Sequence, residues 1–188
     1  MWWFKPRPCR RLVARLVVVL AAASLTAGCF EPLYGSRPSV SSATVKDKLA
    51  AVDVQEIKAP HGSPVQRLAV EMRNALQYDF NGAAGPTAPT HRLVIDLKSS
   101  QWTVAIDPQS GRPSAEIGTV IANYQLIEIA TGKTVVNDST FGHVDYDVPG
   151  VEQRFAKQRA QRDAEDHAVQ TVADAIRNRM ASYFVAGT

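Results

Sequence analysis

Residues 117–148, IGTVIANYQLIEIATGKTVVNDSTFGHVDYDV, decide the fold. Val120, Ala122, Tyr124 and Leu126 recur at every second position, the period of a strand with one face toward a core. The segment ATGK, 130–133, breaks the run and puts Gly132 where a hairpin turn needs a left-handed residue. TVVNDSTFGHVDYDV then returns as the partner strand. Two strands joined by so short a turn are neighbours in an antiparallel sheet.

Working outward, HRLVIDLKSS from His91 sets Leu93, Ile95 and Leu97 on one face and Asp96 and Lys98 on the other. Trp102, Val104 and Ile106 extend this strand past a bend, and DPQSGRPS, 107–114, turns it back. Upstream, Ser63, Pro64 and Gln66 supply an N-cap, a first-turn proline and a capping box. Val65, Leu68, Ala69, Met72, Ala75, Leu76 and Phe80 follow at helical spacing, and NGAAGPTAPT, 81–90, ends the helix. LAAVDVQEI, 49–57, reads as a strand.

A last helix is expected from about Glu152 to Phe184, roughly 50 Å long at 1.5 Å per residue. Ala168, Val172, Ala175, Ile176, Met180, Tyr183 and Phe184 give its C-terminal half an apolar face. Its polar N-terminal half is expected to project or lie exposed, with Arg159/Asp163 and Arg162/Asp166 spaced to pair. The order β-α-β-β-β-α predicts an α+β domain: two helices packed on one face of a mostly antiparallel four-stranded sheet.

The N-terminus is an address. Lys5, Arg7, Arg10, Arg11 and Arg15 precede LVVVLAAA, 16–23, and small residues follow to Gly28. A basic start, a short apolar run and a small-residue end describe an export signal. The uncharged stretch 16–30 is shorter than the ~20 residues of a spanning helix. The chain has 21 Lys+Arg against 18 Asp+Glu; without those five cations, 16 basic residues face 18 acidic ones, a net of −2. The folded part therefore carries no general basic excess, and a nucleic-acid partner is not expected.

TAGC, 26–29, resembles a bacterial lipobox, with Thr26 where leucine is usual. On that resemblance Cys29 is the lipidated first residue of the mature protein, carrying N-palmitoyl and S-diacylglycerol groups, and the acyl chains anchor it to a membrane. Only Cys9 and Cys29 occur in the chain, so the mature form has no cysteine pair to bridge. The expected division is a signal peptide at 1–28, a lipidated N-terminus and polar tether at 29–48, and the α+β domain at 49–188.

Catalytic and metal motifs fail at their required positions. GKT, 132–134, lacks the phosphate-loop glycine, since position 127 is Ile127. DYDVPG, 145–150, has Pro149 and Ala156 where a calcium loop needs oxygen ligands. His61, His91, His143 and His167 have no metal-ligand spacing. No enzyme activity, catalytic residue, metal or cofactor is expected.

GCFEPLYG (28–35), VEMRNALQYDF (70–80), YQLIEIATGKTVV (124–136) and RDAEDHAVQTVADAIRNRMASYF (162–184) together resemble the alphaproteobacterial form of the LPS-assembly lipoprotein family LptE. The resemblance implies an outer-membrane lipoprotein, lipid-anchored on the periplasmic face. It implies a partner and plug for the LptD β-barrel, assisting lipopolysaccharide insertion at the cell surface. Phosphates and carboxylates of lipopolysaccharide would pair with Lys/Arg side chains; Arg92, Lys98, Arg112 and Lys133 are the candidate contacts, near strand ends and turns. The tips Pro108–Pro113 and Thr131–Lys133 are candidate barrel contacts. An auxiliary lipoprotein of another envelope lipid transporter, of Mce/ABC type, is the second reading, since it too joins a lipobox to a small α+β domain.

Overall fold

The computed structural model describes residues 44–82, 88–148 and 153–186. The export signal, Cys29 and most of the expected tether lie outside the described residues.

The first element is one the sequence reading lacks. Helix α1 (Val45–Ala50) stands where that reading has the end of a tether and the start of a strand. Its N-cap is Thr44, whose Oγ1 accepts from Asp47 N at 3.2 Å while Thr44 N donates to Asp47 Oδ2 at 2.9 Å. That reciprocal pair is a capping box, and Leu49 on the next turn is buried. Strand β1 shrinks accordingly to Val52–Val54.

Helix α2 (Pro64–Asn81) follows the expected cap with one change. Ser63 Oγ accepts from Gln66 N at 3.3 Å. Gln66 Oε1, however, accepts from Gly62 N at 2.7 Å rather than from Ser63, whose own N–H donates to Pro60 O at 3.2 Å. Gly82 ends the helix at φ +62°, a backbone suited to glycine. Strands β2 (His91–Ile106), β3 (Pro113–Glu128) and β4 (Thr134–Asp147) come next, then helix α3 (Arg154–Ala186).

The sheet order is β1-β2-β3-β4. β1 pairs parallel to β2, and the other pairs are antiparallel. Strand β2 is continuous through Ile106, with register shifts between Thr103 and Ile106 in place of a break. In the β3–β4 turn Gly132 has φ +67°, and its N–H donates to Glu128 O at 2.8 Å. In the β2–β3 turn the Asp107 carboxylate accepts from Gln109 N at 2.8 Å and from Ser110 Oγ at 2.9 Å.

Helices α2 and α3 cover one face of the sheet. Leu93, Ile95 and Leu97 of β2 and Val120, Ala122, Tyr124 and Leu126 of β3 meet Leu68, Met72 and Leu76 of α2 and Val172, Ile176 and Met180 of α3. Burying each large side chain stabilises the fold by about 1.5–3 kcal/mol. Short α1 adds Leu49 to the same core, and Lys48 Nζ donates to Phe184 O at 3.2 Å. That places a cation at the C-terminal, electronegative end of α3.

Contact between α3 and β4 sets the tightest spacing. A Cβ on Gly142 would lie 2.6 Å from the Ala168 carbonyl oxygen and 3.1 Å from Val172 Cγ2. A backbone atom of a packed helix cannot give way as a flexible side chain would. Gly142→Ala should therefore cost about 1–3 kcal/mol, as overpacking does. Gly118→Ala, whose Cβ would find its nearest atoms at 3.9 Å, should leave stability unchanged or slightly raised. Urea midpoints of the two variants test this; equal midpoints would contradict the packing.

Candidate functional site

Directly opposed residues of antiparallel strands point to the same side. The register thus builds cross-strand rows on the face away from the helices: Val94–Gln125–Asn137, Asp96–Asn123–Ser139, Lys98–Ile121–Phe141, Ser100–Thr119–His143 and Trp102–Ile117–Asp145. Among the described residues no element covers this face. Trp102 is 68% exposed and Phe141 63% exposed, and Val94 and Ile121 are also open to solvent. The Phe141 and His143 rings stack with centroids 5.9 Å apart and planes at 18°. Toward the hairpin end Val104 and Ile106 add further exposed apolar surface, and Phe155 at the start of α3 is exposed too.

The four candidate cations distribute unevenly over this frame. Arg92 and Lys98 stand on the open face of β2, six residues or roughly 20 Å apart by strand rise. Lys98 Nζ lies 3.9 Å from Asp96 Oδ2, a loose exposed pair that leaves its charge available. Lys133 sits in the β3–β4 turn, at the Arg92 end of the sheet. Arg112 sits in the β2–β3 turn at the other end, its backbone O accepting from Asp107 N at 2.8 Å. The two turns are roughly 50 Å apart along 16-residue strands. Arg92, Lys98 and Lys133 can therefore share one extended ligand, and Arg112 belongs to a separate neighbourhood.

Sequence reasoning misses the apolar character of the open face. The signal is present in β3, where Ile117 and Ile121 interleave with the core-facing Val120 and Ala122. Apolar residues at both parities mark a strand that meets something on both sides.

On the helix side, a polar cluster joins α2, α3 and the far end of the sheet. Glu165 is buried and accepts from Arg67 Nη2 at 2.6 Å, Gln101 Nε2 at 3.1 Å and Gln161 Nε2 at 3.0 Å. Arg67 also holds Glu71 at 3.2 Å and bonds Asp166 across the helices. Asp166 thus turns to Arg67 of α2 instead of pairing with Arg162 along its own helix. Asp163 lies 3.5 Å from His167, an exposed i,i+4 pair, where the spacing suggests Arg159. Burial, then the neighbouring Asp166 carboxyl, holds the Glu71 carboxyl above its ordinary range, against the pull of Arg67.

The polar half of α3 is mostly exposed, but it does not project freely. Lys157 Nζ donates to Glu116 Oε1 at 2.8 Å, and Tyr146 Oη donates to Glu116 Oε2 at 2.7 Å. Those two bonds hold the Glu116 carboxyl below the usual carboxylate range. A half-buried His91 ring packs edge-on against Phe184 at 5.2 Å, and burial holds its pKa below the ordinary value despite Glu128 nearby. Among the described residues no group of three His, Cys, Asp or Glu is placed to hold a metal ion.

A lowered carboxyl pKa means Glu116 stabilises the fold above its unfolded value of about 4.3, and that contribution is lost as pH falls through the folded value. Glu116→Gln should flatten the loss of stability on acidification below about pH 4. Urea midpoints from about pH 6 to about pH 3, across the carboxylate range, provide the check; an unchanged pH slope would show that Glu116 carries none of it.

No protein-family profile and no curated protein sequence matches the chain. Solved structures do. A candidate lipoprotein from Caulobacter crescentus CB15 superposes with a TM-score of 0.58 at 16% identity, covering 76% of this chain and 96% of that one. Rare lipoprotein B from Shewanella oneidensis superposes with a TM-score of 0.51, also at 16% identity, covering 71% of this chain and 96% of that one. At such identity the likeness shows the fold alone: this α+β fold is one that lipoproteins carry.

Proposed function

We propose that this chain is an outer-membrane lipoprotein that assists lipopolysaccharide assembly at the cell surface as partner and plug of an LptD-type β-barrel. The observation that carries the reading is the open sheet face, where Arg92 and Lys98 stand among Val94, Ile121 and Phe141. An amphipathic ligand with phosphates at one end and acyl chains at the other matches cations beside exposed apolar side chains. Two further lines support the reading: the motifs that resemble the LptE family, and a fold shared with lipoproteins of other bacteria.

In this reading Cys29 carries the acyl anchor. Fourteen residues lie between it and the Thr44 cap of α1, enough for an extended reach of roughly 50 Å. Barrel contact falls to the sheet's edges and turns, including 108–113 and 131–133. No sugar or lipid bond is broken; the domain binds and orients.

Affinity capture from envelope extracts tests the partner. The tagged chain should recover an LptD-type barrel, and recovery of a Mce-type transporter instead would overturn the reading. Cys29→Ser should abolish metabolic acyl labelling. Arg92→Glu with Lys98→Glu should lower lipopolysaccharide capture about tenfold or more while leaving the urea midpoint unchanged.

A further inference from the structure

A cleft of about 460 Å³ lies between α2 and the segment that leads into it from β1. It belongs to the helix side of the domain, away from the open sheet face. Its volume falls within the ~300–1,000 Å³ of small-molecule sites.

Three basic side chains line it, Lys58 and His61 from the entering segment and Arg73 from α2, and Gln66 and Asn74 add amide groups. Several cations of the long helices are engaged by carboxylates: Arg67 by three, Lys157 by Glu116, Arg179 by Asp138. Among the described residues, Lys58, His61 and Arg73 form no salt bridge.

Their donors are set by the surrounding bonds. Arg73 Nε donates to Val54 O at 3.3 Å, which fixes the guanidinium and leaves both Nη groups for a ligand. The Gln66 amide is oriented because its Oε1 accepts from Gly62 N. Its Nε2 is then the donor facing His61 Nδ1 at 3.4 Å, so the neutral imidazole carries its proton on Nε2. Glu56 is the one carboxylate in the lining, an acceptor for a hydroxyl. Ala69 and Val70 supply an apolar wall.

Three donor side chains, two from the entering segment and one from α2, suit a phosphate better than a planar carboxylate, which a single guanidinium fork already satisfies. A phosphomonoester presents three oxygens and about −1.5 to −2 charge at neutral pH. We infer that this cleft binds a phosphomonoester on a hydroxylated carrier, with the phosphate held by Arg73, Lys58 and His61 and a neighbouring hydroxyl donated to Glu56. The carrier is either a soluble sugar phosphate or the headgroup of a lipid; the recognised chemistry is the same. The inference does not rest on the lipopolysaccharide reading, which concerns the opposite side of the sheet.

Calorimetric titration of the acylated full-length protein in phosphatidylcholine vesicles tests it. Glucose 1-phosphate should bind, with glucose and inorganic phosphate each at least about tenfold weaker. Vesicles containing phosphatidylinositol 4-phosphate should compete if the carrier is lipid-borne; binding of that lipid alone supports the site, and assigns its source to the membrane, when Arg73→Gln abolishes it, whereas binding that Arg73→Gln leaves intact belongs to the open face and would overturn the site. Arg73→Gln and Lys58→Gln should each weaken binding about tenfold, while Arg159→Gln, at an exposed position of α3 outside the cleft, should not. Lys58 is exposed, so its variant keeps the fold, and thermal unfolding verifies this. Glucuronate binding as tightly as glucose 1-phosphate would overturn the phosphate assignment. Failure of both phosphomonoesters to bind, or full affinity in the Lys58 variant, would overturn the site.

Discussion

Helix α3 approaches β4 so closely at Gly142 that a methyl group there would sit 2.6 Å from the Ala168 carbonyl oxygen. Much of the architecture follows from that approach. The helix can lie so near only because the residues it presents are small: Ala164, Ala168, Ala173 and Ala181 are all buried. Close seating lets Val172, Ile176 and Met180 reach the middle of the sheet, where they meet core residues of β3 and α2. It also fixes α3 along the sheet, which brings Glu165 over Gln101 and within reach of Arg67.

With α2 and α3 spent on one face, the other is left to solvent or to a partner. An antiparallel sheet tolerates one wet face when that face is polar. Here three of its five central rows are largely polar, but Lys98–Ile121–Phe141 and Trp102–Ile117–Asp145 are not. Exposed aromatic side chains beside cations are costly to leave in water and useful against an amphipathic surface. The constraint that makes the core compact is thus the one that leaves this sheet face open.

The strands, both long helices and the hairpin turn are legible in the sequence because each carries a strong periodic or capping signal. The seven apolar positions of α2 and the Gly132 turn need no tertiary information. Helix α1 is missed because Val45-Lys-Asp-Lys has no apolar period; only Thr44 and Asp47, three apart, announce it. The ion pairs of α3 are misread for a different reason. Spacing along one helix says which side chains are close, but a cation on the neighbouring helix competes, and Arg67 reaches both Asp166 and the buried Glu165. The four candidate cations are each visible as residues, but their grouping is not. Strand register puts Arg92 and Lys98 on the open face of β2 with Lys133 in the turn at the Arg92 end, and Arg112 in the opposite turn, roughly 50 Å from Lys133.

The helix layer separates two kinds of chemistry. On the open side, charge and apolar surface are spread over three strands, an arrangement suited to a large ligand or protein with many weak contacts. On the helix side, Lys58, His61 and Arg73 converge on one cleft and lack carboxylate partners among the described residues. Rigid packing between the layers means that filling the cleft would not by itself reshape the open face. Coupling between them would have to pass through α2, whose core face holds Leu68, Met72 and Leu76 and whose cleft face holds Arg73 and Val70. Because Arg73 Nε is bonded to the carbonyl of Val54 in β1, a ligand on its Nη groups pulls on that strand and, through Val54 and Leu93, on β2. Arg92 is the next residue along β2, facing the other way. The shortest physical path between the cleft and the open face therefore runs through one side-chain bond and one strand pair.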